Sequence, residues 1–311
     1  MRTCKLNKDS EQTETRSALW YDLVAMIDRR RALGLLGGSS LAAISACSAP
    51  ESQTSVPAQN YSGPPGMGRP PGGPGGPPPS EPHETIVSEN GCASLSNETN
   101  GPYPADGSNR ANGAVANVLL NQGVVRKDIR SSFSGMTGAA DGVPMDLTIS
   151  VVDVMTGCAP LKGYAVYLWH CDTVGEYSIY DVADANWLRG VGVTDANGQV
   201  TFTTIFPGCY PGRHPHFHFE VYSSLDQATH YNNRVLVSQL TTPLEITKKI
   251  YSDYSDLYGN SLRNLNNNPI ETDNVFGDNN PEEIAAQTAT VTGNPASRLT
   301  ANVTVGMVLS S

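Results

Sequence analysis

The sequence predicts an all-β fold, a β-sandwich or an open barrel, that occupies the chain from about residue 84 onward. Short segments in this part alternate apolar and polar residues with a period of two, as strands with one buried face do. Turn sequences separate these segments at short intervals, which is typical of sandwiches and barrels. The hydrophobic fraction of the whole chain is 39%, and this is enough for one core once the segment before residue 84 is set aside.

The clearest predicted strand is Met145–Asp153, in which apolar and polar side chains alternate. Between Gly192 and Phe202, two short strands flank a turn at residues 195–198. Four further strands are predicted at Tyr164–His170, Pro215–Tyr222, Arg234–Leu240 and Ser297–Val308. One weak helix is predicted at Asn112–Asn121, where the apolar residues have a mixed periodicity.

The first 47 residues predict an export signal. Three arginines, Arg29 to Arg31, precede a mildly apolar run at 34–46 that is rich in small residues, as in a secretory signal. Paired arginines before such a run resemble a twin-arginine signal. Ile44-Ser-Ala-Cys47 resembles a lipobox, in which the cysteine is lipidated and becomes the first residue of a lipoprotein. Because Met26 stands where such a signal normally begins, we expect the true start there. The alternative is a short buried helix with a basic flank.

A linker is predicted at residues 48–83, which are dominated by Pro, Gly and Ser. Such a stretch cannot bury enough apolar surface to offset the entropy cost of ordering it. We therefore expect a disordered, extended spacer. The predicted organisation is an export signal at 1–47, this linker at 48–83 and one folded domain at 84–311.

Charge and cysteine content exclude several classes of protein. A formal net charge of -10 argues against nucleic acid as a partner. No Cys-x-x-Cys pair supports a zinc-ribbon or thioredoxin-like site. Because exported thiols tend to be oxidised, we expect at least one disulfide bond among Cys92, Cys158, Cys171 and Cys209. The alternative is that all four stay reduced as small buried side chains.

Two histidines and two tyrosines are the candidate functional residues. His216 and His218 flank Phe217 on a predicted strand, so both imidazoles lie on one face and can hold one metal ion. Alone, such a pair is more often a surface or core feature than a ligand pair. Tyr177 and Tyr210 lie in loops before this strand, and each alone is most simply a packing residue.

Four motifs in order resemble the intradiol ring-cleavage dioxygenases, the family of catechol 1,2- and protocatechuate 3,4-dioxygenases. They are Pro160-Leu-Lys-Gly-Tyr-Ala-Val-Tyr-Leu-Trp-His-Cys-Asp172 with Gly175-Glu-Tyr-Ser178, Leu188-Arg-Gly190, Thr194-Asp-Ala-Asn-Gly198, and Thr203-Thr-Ile-Phe-Pro-Gly-Cys-Tyr-Pro-Gly-Arg-His-Pro-His-Phe-His-Phe219. Glu98-Thr-Asn-Gly-Pro-Tyr103 resembles the family's segment that approaches the active site. The segments before the domain do not resemble the helical dimerisation region of catechol 1,2-dioxygenases, which indicates the compact extracytoplasmic branch of the family.

The resemblance implies a β-sandwich core of the intradiol type and a non-haem Fe(III) site. Its metal ligands would be Tyr177, Tyr210, His216 and His218, and Tyr210 would also act in catalysis. Arg213 and Gln239 resemble the family's active-site arginine and glutamine. The implied reaction opens a catechol-type aromatic diol with O2 to give a muconate-type diacid. Gly212 stands where some members have a bulky aromatic residue, which implies a wider or more polar pocket.

Two other functions compete with this one. A non-catalytic β-sandwich that binds a partner would use the same strands, but it would not need the two tyrosines and two histidines together. A copper or zinc β-sandwich enzyme also uses His-x-His strands, but it would need further histidine ligands from a chain that has six histidines in all.

The predicted lipoprotein signal gives a first test. Wild-type protein is expected in the membrane fraction with a diacylated Cys47 as its first residue, whereas Cys47→Ser is expected to be unprocessed or released. Cell fractionation and mass spectrometry of the mature N-terminus measure both. If the substitution changes neither processing nor membrane association, Cys47 is not a lipidation site.

Overall fold

The computed structural model describes residues 85–309. The predicted export signal, with Cys47, and the predicted linker lie outside these residues and stay predictions. Between residues 85 and 309, no helix combines the length and the apolar character needed to cross a membrane.

Two β-sheets form the core, as the alternating segments predict. The strands are β1 (Asp106–Ala111), β2 (Ala114–Asn117), β3 (Pro144–Asp153), β4 (Ala159–Pro160), β5 (Ala165–Trp169), β6 (Arg189–Val193), β7 (Gln199–Ile205), β8 (Phe217–Tyr222), β9 (Arg234–Leu240), β10 (Thr290–Asn294) and β11 (Arg298–Met307). One sheet runs β10-β11-β3, and β7 and the short β4 both pair with β3. The other runs β6-β5-β8-β9. Pairing is antiparallel except between β11 and β3, which are parallel.

The strand β3 has the expected half-buried pattern. Met145, Leu147, Ile149 and Val151 are fully buried and alternate with partly exposed polar residues. They belong to the same apolar cluster as alternate residues of β8, namely Phe217, Phe219 and Val221. The cluster therefore lies between the two sheets, as in a sandwich.

The strand β8 is buried on both faces. Its apolar residues point into the core, so the period of two sends His218, Glu220 and Tyr222 to the opposite face. Polar side chains that are fully buried need partners there. The covered outer face of β8 is therefore the place where the fold brings buried polar groups together.

The segment between β9 and β10 is helical, which the sequence-based prediction did not include. It contains α1 (Leu244–Asp253), α2 (Ser255–Tyr258), α3 (Ser261–Asn267) and α4 (Pro281–Gln287). Tyr251 and Tyr258 are buried, and their hydroxyls donate to the carbonyls of Pro207 and Phe206. Asn264 donates to the carbonyl of Cys209. The helices thus hold the loop between β7 and β8.

The helix predicted at Asn112–Asn121 is wrong. Residues 112–117 belong to the β1–β2 hairpin, whose turn is Asn112-Gly113, and residues 118–121 follow β2 as turn and coil. Both turn residues have positive φ, 49° and 83°, the backbone of the two-residue turn that an Asn-Gly pair favours. The turn chemistry overrides the weak apolar periodicity that follows it.

The predicted disulfide bond is present between Cys92 and Cys158, whose Cα atoms lie 5.9 Å apart. Among residues 85–309, Cys171 and Cys209 are free and buried. The bond joins the segment before β1 to the turn after β3, so it cross-links 66 residues of chain.

Thiol counting tests this pairing. Reduction of the denatured protein should raise the thiol count by two, and the gain should vanish in Cys92→Ser/Cys158→Ser. As controls, Cys171→Ser and Cys209→Ser should each remove one thiol without changing the gain. Loss of the bond should lower the free energy of unfolding by about 2–4 kcal/mol. A gain that survives in the double variant would contradict the pairing.

Candidate metal centre

Four predicted ligand side chains converge at the outer face of β8. The Nε2 atoms of His216 and His218 are 3.0 Å apart. The hydroxyl oxygen of Tyr177 lies 3.4 Å from His216 Nε2 and 3.2 Å from His218 Nε2. The hydroxyl oxygen of Tyr210 lies 3.2 Å from His216 Nε2. The structure therefore brings together all four residues that the motifs singled out.

Each side chain reaches this point for a local reason. His216 precedes β8 and His218 is its second residue, so the strand period places both on one face. Trp169 pairs with His218 across the β5–β8 ladder, and its ring stacks on the imidazole at 4.9 Å. Tyr177 follows β5, and Tyr210 lies in the loop that α1–α3 hold.

The hydrogen bonds of His216 fix its tautomer. Its Nδ1 lies 2.6 Å from the carbonyl oxygen of His214, and because a carbonyl only accepts, Nδ1 carries the proton. Burial, and then the charge of Arg213, lower the pKa of His216 well below its ordinary value. The imidazole is therefore neutral, and its Nε2 presents a lone pair to the cluster.

His218 is also neutral, because burial, and then His216, lower its pKa well below the ordinary value. Its buried Nδ1 has no hydrogen-bond partner among the described residues. Burial raises the pKa of Tyr177 and of Tyr210 above the ordinary value of a phenol. The cluster therefore combines two neutral imidazoles with two protonated phenols.

A cation fits this set of donors. Separations of 3.0–3.4 Å between donor atoms suit ligands that each lie about 2 Å from one shared ion. A bound ion would displace the phenolic protons that burial otherwise retains. Imidazole nitrogen suits iron, and tyrosinate oxygen is a known ligand of ferric iron. Among residues 85–309, no group of three His, Cys, Asp or Glu offers an alternative metal site.

Arg213 and Gln239 lie beside the cluster, where the resemblance implies them. Arg213 Nη1 is 3.3 Å from His216 Nε2, and Nη2 donates to Gln239 Oε1 at 2.6 Å. Gln239 pairs with His218 across β8 and β9, and its amide donates to the carbonyl of Thr99. The two residues therefore form one hydrogen-bonded edge of the site.

Residues 99–103, which we call the strap, cover the other side. The ring of Tyr103 packs against that of Tyr177 with centroids 4.7 Å apart and an interplanar angle of 32°. Gly101 has a φ of +69°, and a Cβ there would lie 3.0 Å from His218 Cε1. The strap approaches the imidazole so closely that only glycine fits without strain.

Two residues that position the site were missed as functional residues. Arg189 is buried and its guanidinium donates to Tyr103 O, Ser178 Oγ and Ser178 O, so it joins the strap to the residue after Tyr177. Its motif, Leu188-Arg-Gly190, was recognised without a role. Asp273 pairs with Arg213 at 2.9 Å. It lies in the helical segment that the strand-based prediction lacked, so no sequence signal pointed to it.

The sequence and the fold were compared with those of known proteins. A family model described as Dioxygenase matches residues 121–232. The beta chain of protocatechuate 3,4-dioxygenase from Burkholderia cepacia is 30% identical over 150 residues, which are 38% of this chain and 61% of that protein. Over these residues the chain is similar to the intradiol ring-cleavage dioxygenases. It spans about three fifths of the length of the Burkholderia relative.

The fold agrees with a solved intradiol ring-cleavage dioxygenase from Tetranychus urticae. That structure matches with a TM-score of 0.51 and 23% identity, and the match covers 70% of this chain and 95% of that one. The family match at 121–232 contains all four converging residues and Arg213. The strap, Gln239 and Asp273 lie outside it, and of these only Asp273 was not predicted at the site from the sequence.

Gly212, where some family members have a bulky aromatic residue, is exposed with a φ of +87°, and a Cβ there would meet no atom within 4 Å. The chain thus leaves open space at the turn after Tyr210. A wider or more polar pocket stays a prediction.

Gly101→Ala tests the close approach of the strap. The added methyl group should push against His218, lower iron occupancy and change the spectrum of the bound metal. The left-handed backbone should also cost about 1–2 kcal/mol of stability. Gly113→Ala is the matched control, since it has a φ of +83° with nothing within 4 Å of the added Cβ. Equal iron content in both variants, measured beside their melting temperatures, would contradict the contact.

Proposed function

We propose that this protein is a non-haem Fe(III) intradiol dioxygenase that cleaves catechol-type aromatic diols with O2 to muconate-type diacids. The observation that carries the proposal is the convergence of two phenols and two neutral imidazoles at one buried point. Neither a binding sandwich nor a copper or zinc enzyme of the His-x-His type accounts for the two tyrosines. Similarity to the intradiol ring-cleavage dioxygenases supports the same reaction class.

The ligands of the ferric ion would be Tyr177, Tyr210, His216 and His218. When bound, the ion supplies Lewis acidity toward the two diol oxygens and a redox partner for the reaction of the ring with O2. Two tyrosinates stabilise the ferric state by their negative charge. The protein's other contributions are to bind and orient the diol, to accept its protons and to keep bulk water out.

Tyr210 is suited to accept a proton from the substrate at its hydroxyl oxygen. It is half-buried, whereas Tyr177 is fully buried. It also lies in a Pro- and Gly-rich turn beside the open space at Gly212. As a tyrosinate, Tyr210 would be a strong base toward a hydroxyl of the bound diol, because the ordinary pKa of a phenol is about 10.

Arg213 is suited to stabilise negative charge that develops on the ring. Its Nη1 faces the cluster, and the rest of its guanidinium is held by Gln239 and Asp273. A donor fixed in this way stabilises charge without reorganising during the reaction. The strap contributes shape, since Tyr103 and Gly101 cover Tyr177 and His218 and limit the access of water.

The substrate class is a catechol-type diol, and the Burkholderia relative bears the name of a protocatechuate 3,4-dioxygenase. The reaction would take place outside the cytoplasm. Arg29 and Arg30 before a mild apolar run support twin-arginine export, and Ile44-Ser-Ala-Cys47 supports lipid anchoring at Cys47. The Pro- and Gly-rich residues 48–83 would then separate the enzyme from the membrane.

Metal content and colour test the proposal. Purified protein should hold about one Fe(III) per chain and be burgundy-red from tyrosinate-to-iron charge transfer. Catechol added without O2 should shift the absorption to longer wavelength, and O2 should then be consumed. Tyr210→Phe should retain some iron with an altered colour and very low turnover. His216→Ala and His218→Ala should lose iron, whereas the control His230→Ala should keep both iron and colour.

A colourless protein that holds zinc or copper after growth in iron-replete medium would contradict the metal centre. Iron content that is unchanged in His218→Ala would contradict the proposed set of metal ligands. A red protein that shows no catechol-dependent O2 uptake would support the proposed metal centre but contradict the proposed reaction.

A further inference from the structure

The carboxylate of Asp273 is fully buried and accepts five hydrogen bonds from N–H groups. Two come from Arg213, with Nε 2.9 Å from Oδ2 and Nη2 3.3 Å from Oδ1. Three come from the backbone: His214 N donates to Oδ2 at 2.7 Å, and Val275 N and Phe276 N donate to Oδ1 at 2.9 and 3.2 Å. The backbone amides fix the carboxylate rigidly, and the carboxylate in turn fixes the arginine.

This arrangement determines which edge of Arg213 faces the metal centre. Nε and Nη2 bind Asp273, and Nη2 also donates to Gln239 at 2.6 Å. Nη1 is the remaining nitrogen, and it lies 3.3 Å from His216 Nε2. An arginine side chain has many rotamers, and a two-point ion pair restricts its planar guanidinium to one orientation.

We propose that Asp273 is a positioning residue that holds Arg213 with Nη1 directed at the reacting ring. The inference rests on the proposed function, since it assigns Arg213 a partner in that reaction. Asp273 acts through Arg213 and touches neither metal nor substrate. The helical segment between β9 and β10 therefore contributes to catalysis as well as to the core.

The alternative is that Asp273 only stabilises the fold, because three of its bonds go to backbone amides. Asp153 provides a matched control. It is also buried, and its carboxylate accepts from Met155 N and Thr156 Oγ1 to cap a short 3-10 helix. Asp153→Ala therefore measures what the loss of a buried, backbone-capping carboxylate does by itself.

A double-mutant cycle on the iron-loaded full chain separates the two roles. Arg213→Ala should keep iron and colour and lower kcat roughly a hundredfold, as expected for loss of one charge-stabilising donor. Asp273→Ala should lower kcat by roughly tenfold to a hundredfold, with a smaller change in KM. The double variant should be no slower than Arg213→Ala, because Asp273 has no role once the arginine is gone.

Two kinetic results would overturn the inference. One is a kcat for Asp273→Ala that equals that of Asp153→Ala. The other is a double variant whose loss is the product of the two single losses. Should Asp273→Ala fail to fold, Asp273→Asn keeps the side-chain volume but loses the charged pair. It should show the same loss and the same non-additivity, and an unchanged kcat would reject the inference.

A measurement without turnover keeps this inference separate from the proposed function. In the full chain prepared without iron, the buried Arg213 Nε–H should give a slowly exchanging NMR signal, assigned by its loss in Arg213→Ala. The signal should persist in Asp153→Ala and vanish or exchange rapidly in Asp273→Ala and Asp273→Asn. A protected signal in the Asp273 variants would refute the positioning role, whereas absent iron and absent turnover in the wild type would refute the function.

Discussion

Two imidazole nitrogens 3.0 Å apart in a buried site are the constraint on which the rest of this structure depends. The carbonyl oxygen of His214 accepts a hydrogen bond from Nδ1–H of His216, and burial keeps both rings neutral. The Nε2 atom of His216 therefore presents its lone pair to His218 Nε2, to the two tyrosine hydroxyls and to Arg213. The same burial keeps the two phenols protonated. In the proposed function, a metal ion would bind the imidazole nitrogens and displace the phenolic protons.

The fold supplies this cluster from segments that are far apart in the sequence. Strand β8 carries the histidines because its inner face is filled by the apolar core and its outer face is covered. The helices after β9 anchor the loop of Tyr210 through hydroxyl-to-carbonyl bonds from Tyr251 and Tyr258. Arg189 joins the strap to the loop of Tyr177. The histidine strand and the two tyrosine loops are thus each held by separate contacts, and a site so held is rigid.

The sequence predicted the parts of this molecule whose signals are local. Period-two alternation located β3, β8, β9 and β11, and ordered motifs located the four converging residues.

Sequence-based prediction failed where the structure depends on tertiary contacts or on turn chemistry. The helices at 244–287 are short and follow a buried strand. They are stabilised by packing against the loop of Tyr210, which periodicity alone does not indicate. Asp273 shares no motif with Arg213, since 60 residues separate them. Asn112-Gly113 is a turn signal that the helix prediction at 112–121 overlooked.

Tyr177 and Tyr210 differ in burial and in the contacts that hold them in place. Tyr177 is fully buried beneath Tyr103, and the next residue, Ser178, is bound by Arg189 through its hydroxyl and its carbonyl. Tyr210 is half-buried and is followed by an exposed Pro-Gly turn with free space around Gly212. Movement of Tyr177 would disturb the hydrogen bonds of Ser178 and the contact with Tyr103, whereas the two residues after Tyr210 are exposed and have fewer such restraints. In the proposed function, Tyr177 would therefore be the fixed ligand and Tyr210 the acid–base partner, and their difference in burial, rather than in chemistry, would separate the two roles.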